Sequence, residues 1–210
     1  VNRFLNLLVH KLLHALTARG GVSLAVLVFV GALAGWGSQY GHRNVGATTT
    51  AGAPPGSYSL AGRVVQVTDG DTFSLLVNGR ELRIRLASID APETGNSKNQ
   101  RPGQPYAQAS RKALAALIAG KSITAQCHEQ DHYERHICDV PLPDGTTANR
   151  QLVQKGMAWA NMEKRGKFLR DASLPAVQEQ ARAAGLGIWQ QPEAVAPWVW
   201  RYQCWQKQQC

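Results

Sequence analysis

The stretch Asp69–Glu93, DGDTFSLLVNGRELRIRLASIDAPE, decides how this chain is read. Asn78-Gly79 stands between two runs of strand-forming residues, Thr72–Val77 and Glu81–Ile89. That dipeptide is a strong signal for a two-residue hairpin turn, in which both central residues take positive φ. Such a turn pairs Val77 with Arg80, so Thr72 falls opposite Arg85 and Asp71 opposite Leu86. Asp71 and Arg85 thus become neighbours along the ladder, with Asp90 and Glu93 in the turn beyond it. Strict alternation would put Asp71 and Arg85 on opposite faces, so a bulge or strong twist must turn one of them.

The residue types have a common chemistry. Pro92 fixes its own φ and biases Ala91 toward an extended conformation, which holds the Asp90 and Glu93 carboxylates and the Ala91 carbonyl in a set relation. Oxygen-only ligands such as Asp71, Asp90 and the Ala91 carbonyl suit Ca²⁺ or Mg²⁺ far better than a soft metal. Arg85 brings a charge that never titrates and a planar fork that matches two phosphate oxygens. A second arginine, Arg135, comes 42 residues after Glu93 in the segment DHYERH. Hard-metal ligands and paired arginines together point to metal-assisted cleavage of a phosphodiester. Taken one at a time, Asp69-Gly70-Asp71 and Asp90-Ala91-Pro92 are also ordinary turn chemistry, and a solvent-facing arginine is the default in Arg83-Ile84-Arg85-Leu86.

Around the hairpin, Gly62–Val67 reads as a strand, and Ser122–Cys127 with His136–Leu142 as a second strand pair. Helical periodicity runs over Gln104–Ala119, closed by Gly120, and over Ala148–Lys155, ended by Gly156. A third helix covers Ser173–Ala184, with Ser173 as N-cap and Pro175 in the first turn. The expected class is α+β: a small five-stranded antiparallel barrel of the OB type with three packed helices.

The domain plan comes from composition. Residues 1–36 are basic and then uncharged from Gly20 to Trp36, and form one N-terminal hydrophobic helix, either a signal peptide or a membrane anchor. The basic residues Arg3, Lys11 and Arg19 precede the uncharged run, which keeps that end in the cytoplasm and exports the remainder of the chain. Residues 37–58, rich in Gly, Thr, Ala, Pro and Ser, are a flexible linker, and the folded domain covers 59–190 with a Trp- and Cys-containing tail over 191–210. The formal net charge is +9; residues 1–58 hold +4 with no acid, leaving +5 for the rest. A basic domain favours polyanions such as nucleic acid, or an anionic membrane surface. The four cysteines, Cys127, Cys138, Cys204 and Cys210, match no zinc spacing and suit disulfides in an exported protein.

Residues 61–190 resemble the staphylococcal nuclease (thermonuclease) family, an OB-fold barrel with three helices. The resemblance rests on Asp69-Gly70-Asp71-Thr72, Ile84-Arg85-Leu86, Ile89-Asp90-Ala91-Pro92-Glu93 and Gln104-Pro105-Tyr106-Ala107. Asp131-x-Tyr133-x-Arg135, Asn149 with Leu152-Val153-x-x-Gly156, and Gly187-Ile188-Trp189 continue it in the family's order. It implies that Asp71, Asp90 and the Ala91 carbonyl bind Ca²⁺, that Glu93 activates the attacking water, and that Arg85 and Arg135 clamp the phosphate. It also implies that Tyr133 contacts a phosphate or nucleotide, that Asp131 belongs to the same substrate-binding turn, and that DNA and RNA are cut with little sequence preference to 3′-phosphates.

The departures are specific. Position 134 is Glu where the family usually has Gly, and the base-stacking tyrosines after the second helix are replaced by Trp159-Ala160-Asn161-Met162-Glu163. Trp159 is accordingly read as packing. A bridge between Cys127 and Cys138 would restrain the turn presenting Arg135, leaving Cys204 and Cys210 to pair locally. The tail Pro197–Arg201 is expected to fold back on the barrel. The competing function is a non-catalytic OB-type module that binds single-stranded nucleic acid at the cell envelope. Three acids facing an anionic ligand count against it, because they repel the ligand unless a cation intervenes.

Overall fold

The computed structural model describes residues 56–210, so the expected signal or anchor over 1–36 and nearly all of the 37–58 linker lie outside the described residues. The Asn-Gly turn forms as its chemistry requires, with Asn78 at φ 49° and Gly79 at φ 78°. It joins β2 (Thr72–Val77) to β3 (Arg80–Leu86), paired Thr72 with Arg85 through Val77 with Arg80. β1 (Tyr58–Val67) lies on the other side of β2, bulged between Val64 and Gln66, and pairs along its first half with β5 (Ser122–Gln130). β6 (His136–Asp139) closes the ring between β3 and β5.

The order β1-β2-β3-β6-β5 makes a mixed barrel, not the antiparallel one expected, because β3 and β6 run parallel. Geometry demands it: a ring with an odd number of strands cannot alternate direction all the way round. The apolar faces meet inside, where Phe73, Leu75, Ile84 and Leu86 from the hairpin are fully buried with Val64. Each such side chain stabilises the fold by about 1.5–3 kcal/mol through loss of apolar surface to water.

The expected strand 81–89 breaks after Leu86. Ser88 takes φ 64°, and the chain restarts as β4 (Ile89–Asp90), paired not to the barrel but to β7 (Trp159–Ala160). Three helices surround the barrel: α1 (Ala107–Ile118) packs on β1 and on α2 (Ala148–Gln154), and α3 (Leu174–Ala183) packs on α2 and β7. Thr147 caps α2 by accepting from the Arg150 N–H, and Asn149 on its first turn ties the Ala87 and Cys138 carbonyls together. Ser173 precedes α3 but does not cap it; its hydroxyl donates to Asp171 and accepts from Arg150. Trp159 is buried edge-on to Trp189 at 5.3 Å, in a packing role.

Cys127 and Cys138 are direct cross-strand partners of β5 and β6 and are disulfide-bonded, their Cα atoms 3.9 Å apart. Cys204 and Cys210 are bonded within the tail. Closing an 11-residue span, the first bridge is expected to contribute about 2–3 kcal/mol, chiefly by restricting the unfolded chain. Urea denaturation of the Cys127→Ala/Cys138→Ala protein should show that loss. An unchanged midpoint would mean the strand pair is held without it.

Candidate active site

Asp69-Gly70-Asp71 is a tight turn leading into β2. The Asp69 carboxylate accepts the Asp71 N–H at 3.0 Å, and Gly70 lies so close to helix α1 that a Cβ there would stand 1.9 Å from the Ser110 hydroxyl. Only glycine lets the turn reach this depth. Asp71 sits just before β2 begins, so the alternation of the strand does not govern its side chain. It turns to the same side as Arg85, whose Nη2 lies 3.0 Å from Asp71 Oδ2. The Thr72 hydroxyl and the Ala91 N–H also donate to Asp71, at 2.8 and 3.3 Å, and Arg85 Nη1 reaches its Oδ1 at 3.5 Å.

The break at Ser88 brings Asp90 to the same place from the other side. Arg85 Nη2 donates to Asp90 Oδ1 at 2.7 Å, so one guanidinium nitrogen bridges two buried carboxylates. Glu93 comes one turn later. Its N–H donates to the Gln104 side chain at 3.1 Å, and its carboxylate is paired with Arg201, a residue of the C-terminal tail. Arg201 also forks onto Asp90, with Nη2 2.8 Å from Oδ2 and Nη1 3.2 Å from Oδ1, and reaches Glu163 at 3.4 Å.

Burial pushes the Glu93 carboxyl up to about 7 against the opposing pull of Arg201. Burial, reinforced by neighbouring Asp71, pushes Asp69 to about 8. Burial also works to raise Asp71, but Arg85 and the hydrogen bonds from Thr72 and Ala91 outweigh it and hold this carboxyl below its ordinary value. For Arg85 burial opposes the charge, yet Asp71 and Asp90 outweigh it and raise its pKa. The site thus sets Asp71, held low by Arg85, beside two carboxyls, Glu93 and Asp69, that burial raises to about 7 and about 8. A carboxyl poised there suits proton transfer at neutral pH.

Among the described residues no three acidic, histidine or cysteine side chains converge tightly enough to hold a metal ion as they stand, since the carboxylates are arranged around two guanidinium groups. The donor chemistry nevertheless fits a hard divalent cation. The donors are oxygen alone, and the two most buried carboxylates already share one positive group.

Arg135 stands apart from this cluster. Its Nε and Nη2 donate to Asp131 Oδ2 at 2.9 and 2.7 Å, while Asp131 Oδ1 accepts the N–H groups of Tyr133 and Arg135. The parallel register sets His136 beside Ile84, which puts Arg135 at the edge of the strand bearing Arg85. Tyr133 is 59% exposed, lies 5.3 Å from the Arg135 guanidinium, and with Arg83 and His136 lines a surface cavity of about 270 Å³.

A family described as "Staphylococcal nuclease homologue" matches residues 83–191. The chain is 36% identical over 143 residues to an "Uncharacterized endonuclease" of Escherichia coli O157:H7, covering 68% of this chain and 86% of the relative. It is 38% identical over 155 residues to a "Micrococcal nuclease" of Shigella flexneri (70% and 83% covered), and 32% over 157 to "Protein ParB" of Escherichia coli (71% and 83%). The chain belongs to the staphylococcal nuclease family. It is an enzyme of a nuclease family, built on the mixed five-stranded barrel.

As a staphylococcal nuclease family member it departs from the pattern in ways the geometry explains. Glu134 takes φ 61°, a left-handed position where glycine is easiest, which accounts for the usual Gly there. The loop after Glu93 does not stay free: Trp200 and Trp205 both donate their indole N–H to the Pro102 carbonyl, at 3.2 and 3.0 Å, and Arg101 stacks over Trp205. The tail therefore folds back onto this loop, whereas the sequence led us to expect the barrel. Arg201 and Glu163 were not expected at the site. The tail's aromatic residues around a lone arginine were the available signal.

Proposed function

We propose that this protein hydrolyses phosphodiester bonds of DNA and RNA in a Ca²⁺-dependent reaction, with little sequence preference and 3′-phosphate products. The observation that carries the reading is the single hydrogen-bonded cluster of Asp71, Arg85 and Asp90, with Glu93 at its margin. In this reading Asp71, Asp90 and the Ala91 carbonyl hold Ca²⁺, which when bound offsets the carboxylate charge and polarises a phosphoryl oxygen. Glu93 receives the proton of the attacking water. Arg85, and Arg135 aimed by Asp131, bind the phosphate and stabilise the charge that grows in the transition state. Tyr133, exposed beside Arg135, contacts the nucleotide next to that phosphate. Holding backbone phosphates instead of base edges makes the enzyme tolerant of sequence. The disulfides and the basic, apolar N-terminal segment support a reaction outside the cytoplasm, with the enzyme either tethered or released.

The test is direct. The purified protein, mixed with DNA or RNA and Ca²⁺, is expected to yield fragments ending in 3′-phosphate, and a Ca²⁺ chelator is expected to abolish cleavage, as is Asp71→Asn. Undiminished hydrolysis in chelator removes the metal from the reaction. Tight binding of single strands with no cleavage under any condition would make this a binding module instead.

A further inference from the structure

The tail carries a second arginine into the acid cluster, and its bonds are not those of a casual surface contact. A carboxylate offers about four lone-pair directions. On Asp90, Oδ1 already receives Arg85 Nη2 at 2.7 Å and Arg201 Nη1 at 3.2 Å, while Oδ2 receives Arg201 Nη2 at 2.8 Å. Arg201 Nη1 is at the same time paired with Glu93. A divalent cation seated on Asp90 needs an oxygen at about 2.3–2.6 Å and cannot share it with a guanidinium at hydrogen-bond distance without strong like-charge repulsion.

Arg201 is also delivered with care. Trp200 and Trp205, on either side of it, both donate to the Pro102 carbonyl, and Cys204 is buried and bonded to Cys210. Gln104 then ties the two parts together, accepting from the Glu93 N–H and donating to the Val195 carbonyl at the base of the tail. The tail, the Glu93 loop and the carboxylates make one connected unit. Glu163, at 3.4 Å, gives the guanidinium a second carboxylate to rest on once Asp90 is taken from it.

We propose that Arg201 is a resident internal cation, a positioning residue that holds the Asp90 and Glu93 carboxylates and competes with the divalent cation for Asp90. This rests on the Ca²⁺-dependent function proposed for the same site. A cation that binds only when Arg201 has released Asp90 has its affinity reduced by the fraction of molecules in the released state. Arg201 therefore sets the Ca²⁺ concentration at which the enzyme loads, and it keeps the acid cluster neutralised when Ca²⁺ is scarce.

Calorimetric titration of the full-length protein with Ca²⁺, without nucleic acid, separates the outcomes. Arg201→Gln is expected to bind Ca²⁺ at least tenfold tighter than wild type. Arg201→Lys, which keeps the charge but loses the fork, should fall between and guards against a folding defect in the first variant. Without Ca²⁺ the Arg201→Gln protein should melt at a lower temperature, and added Ca²⁺ should restore it. A purely structural role predicts weaker Ca²⁺ binding in both variants, so unchanged or weaker affinity in both overturns the proposal. The two readings fail differently. If wild type binds Ca²⁺ in a manner lost with Asp71→Asn while Arg201→Gln matches it, only the competition falls. If neither wild type nor Arg201→Gln binds Ca²⁺, both fall.

Discussion

Glu93→Gln is expected to slow DNA cleavage by about 10²–10⁴, the usual worth of a positioned general base, while leaving the fold intact. The amide keeps an oxygen that can accept from Arg201, and the backbone anchor of residue 93, its N–H on Gln104, is untouched. The substitution removes only the group that can take a proton. Its effect on stability has a definite sign. Glu93 is pushed from 4.5 to about 7 by burial, so between those values the folded protein holds a proton that the unfolded chain has released. The stability contributed by this group is complete below about 4.5 and is lost as pH rises through 7. Ca²⁺-free Glu93→Gln should then lose less stability than wild type between pH 5 and pH 8, read by thermal melting. Activity within a few-fold of wild type at saturating Ca²⁺ would give the role of base to another group.

How far the site could be read from sequence depends on how local each determinant is. The hairpin register was legible because Asn78-Gly79 permits one turn, and that turn fixes Thr72 opposite Arg85. The meeting of Asp71 with Arg85 was not, because alternation applies within a strand and Asp71 lies one residue before it. The break that brings Asp90 inward depends on Ser88 at φ 64°, whose hydroxyl accepts the N–H groups of Arg170 and Asp171, residues 82 and 83 positions away. Arg201 is 111 residues from Asp90 and 108 from Glu93. No periodicity or motif spacing reports contacts that distant, whereas the strands flanking the Asp131–Arg135 turn made Cys127 and Cys138 candidates for a bridge, with the pairing itself left open until the structure joined them. The antiparallel expectation failed for another reason: strand signals carry no direction, and the parallel β3–β6 pair arises only when five strands close on themselves.

Arg85→Ala is expected to damage both the fold and the chemistry, and Arg85→Lys to separate them. In the folded protein one nitrogen, Nη2, lies 3.0 Å from Asp71 and 2.7 Å from Asp90, both of which are buried. Alanine leaves two buried carboxylates facing each other with a counter-charge gone, a change that typically costs about 3–5 kcal/mol. Arg201 offsets part of this at Asp90 but makes no bond to Asp71. The two short contacts both run through Nη2, and Nη1 reaches Asp71 only at 3.5 Å, so a lysine ammonium can take the place of Nη2 between the two acids and most of the stability should return. What lysine lacks is the second nitrogen of the fork, held only by a 3.5 Å bond to Asp71, which would turn to a phosphate while the first holds the acids. Loss of one such donor to a developing charge is worth about 10²–10³ in rate. The expected pattern in Ca²⁺-free denaturation and Ca²⁺-saturated cleavage is therefore a destabilised, inactive Arg85→Ala and a stable, still impaired Arg85→Lys. Full activity in Arg85→Lys would reduce Arg85 to a counter-charge for Asp71 and Asp90, and move the phosphate clamp to Arg135 alone.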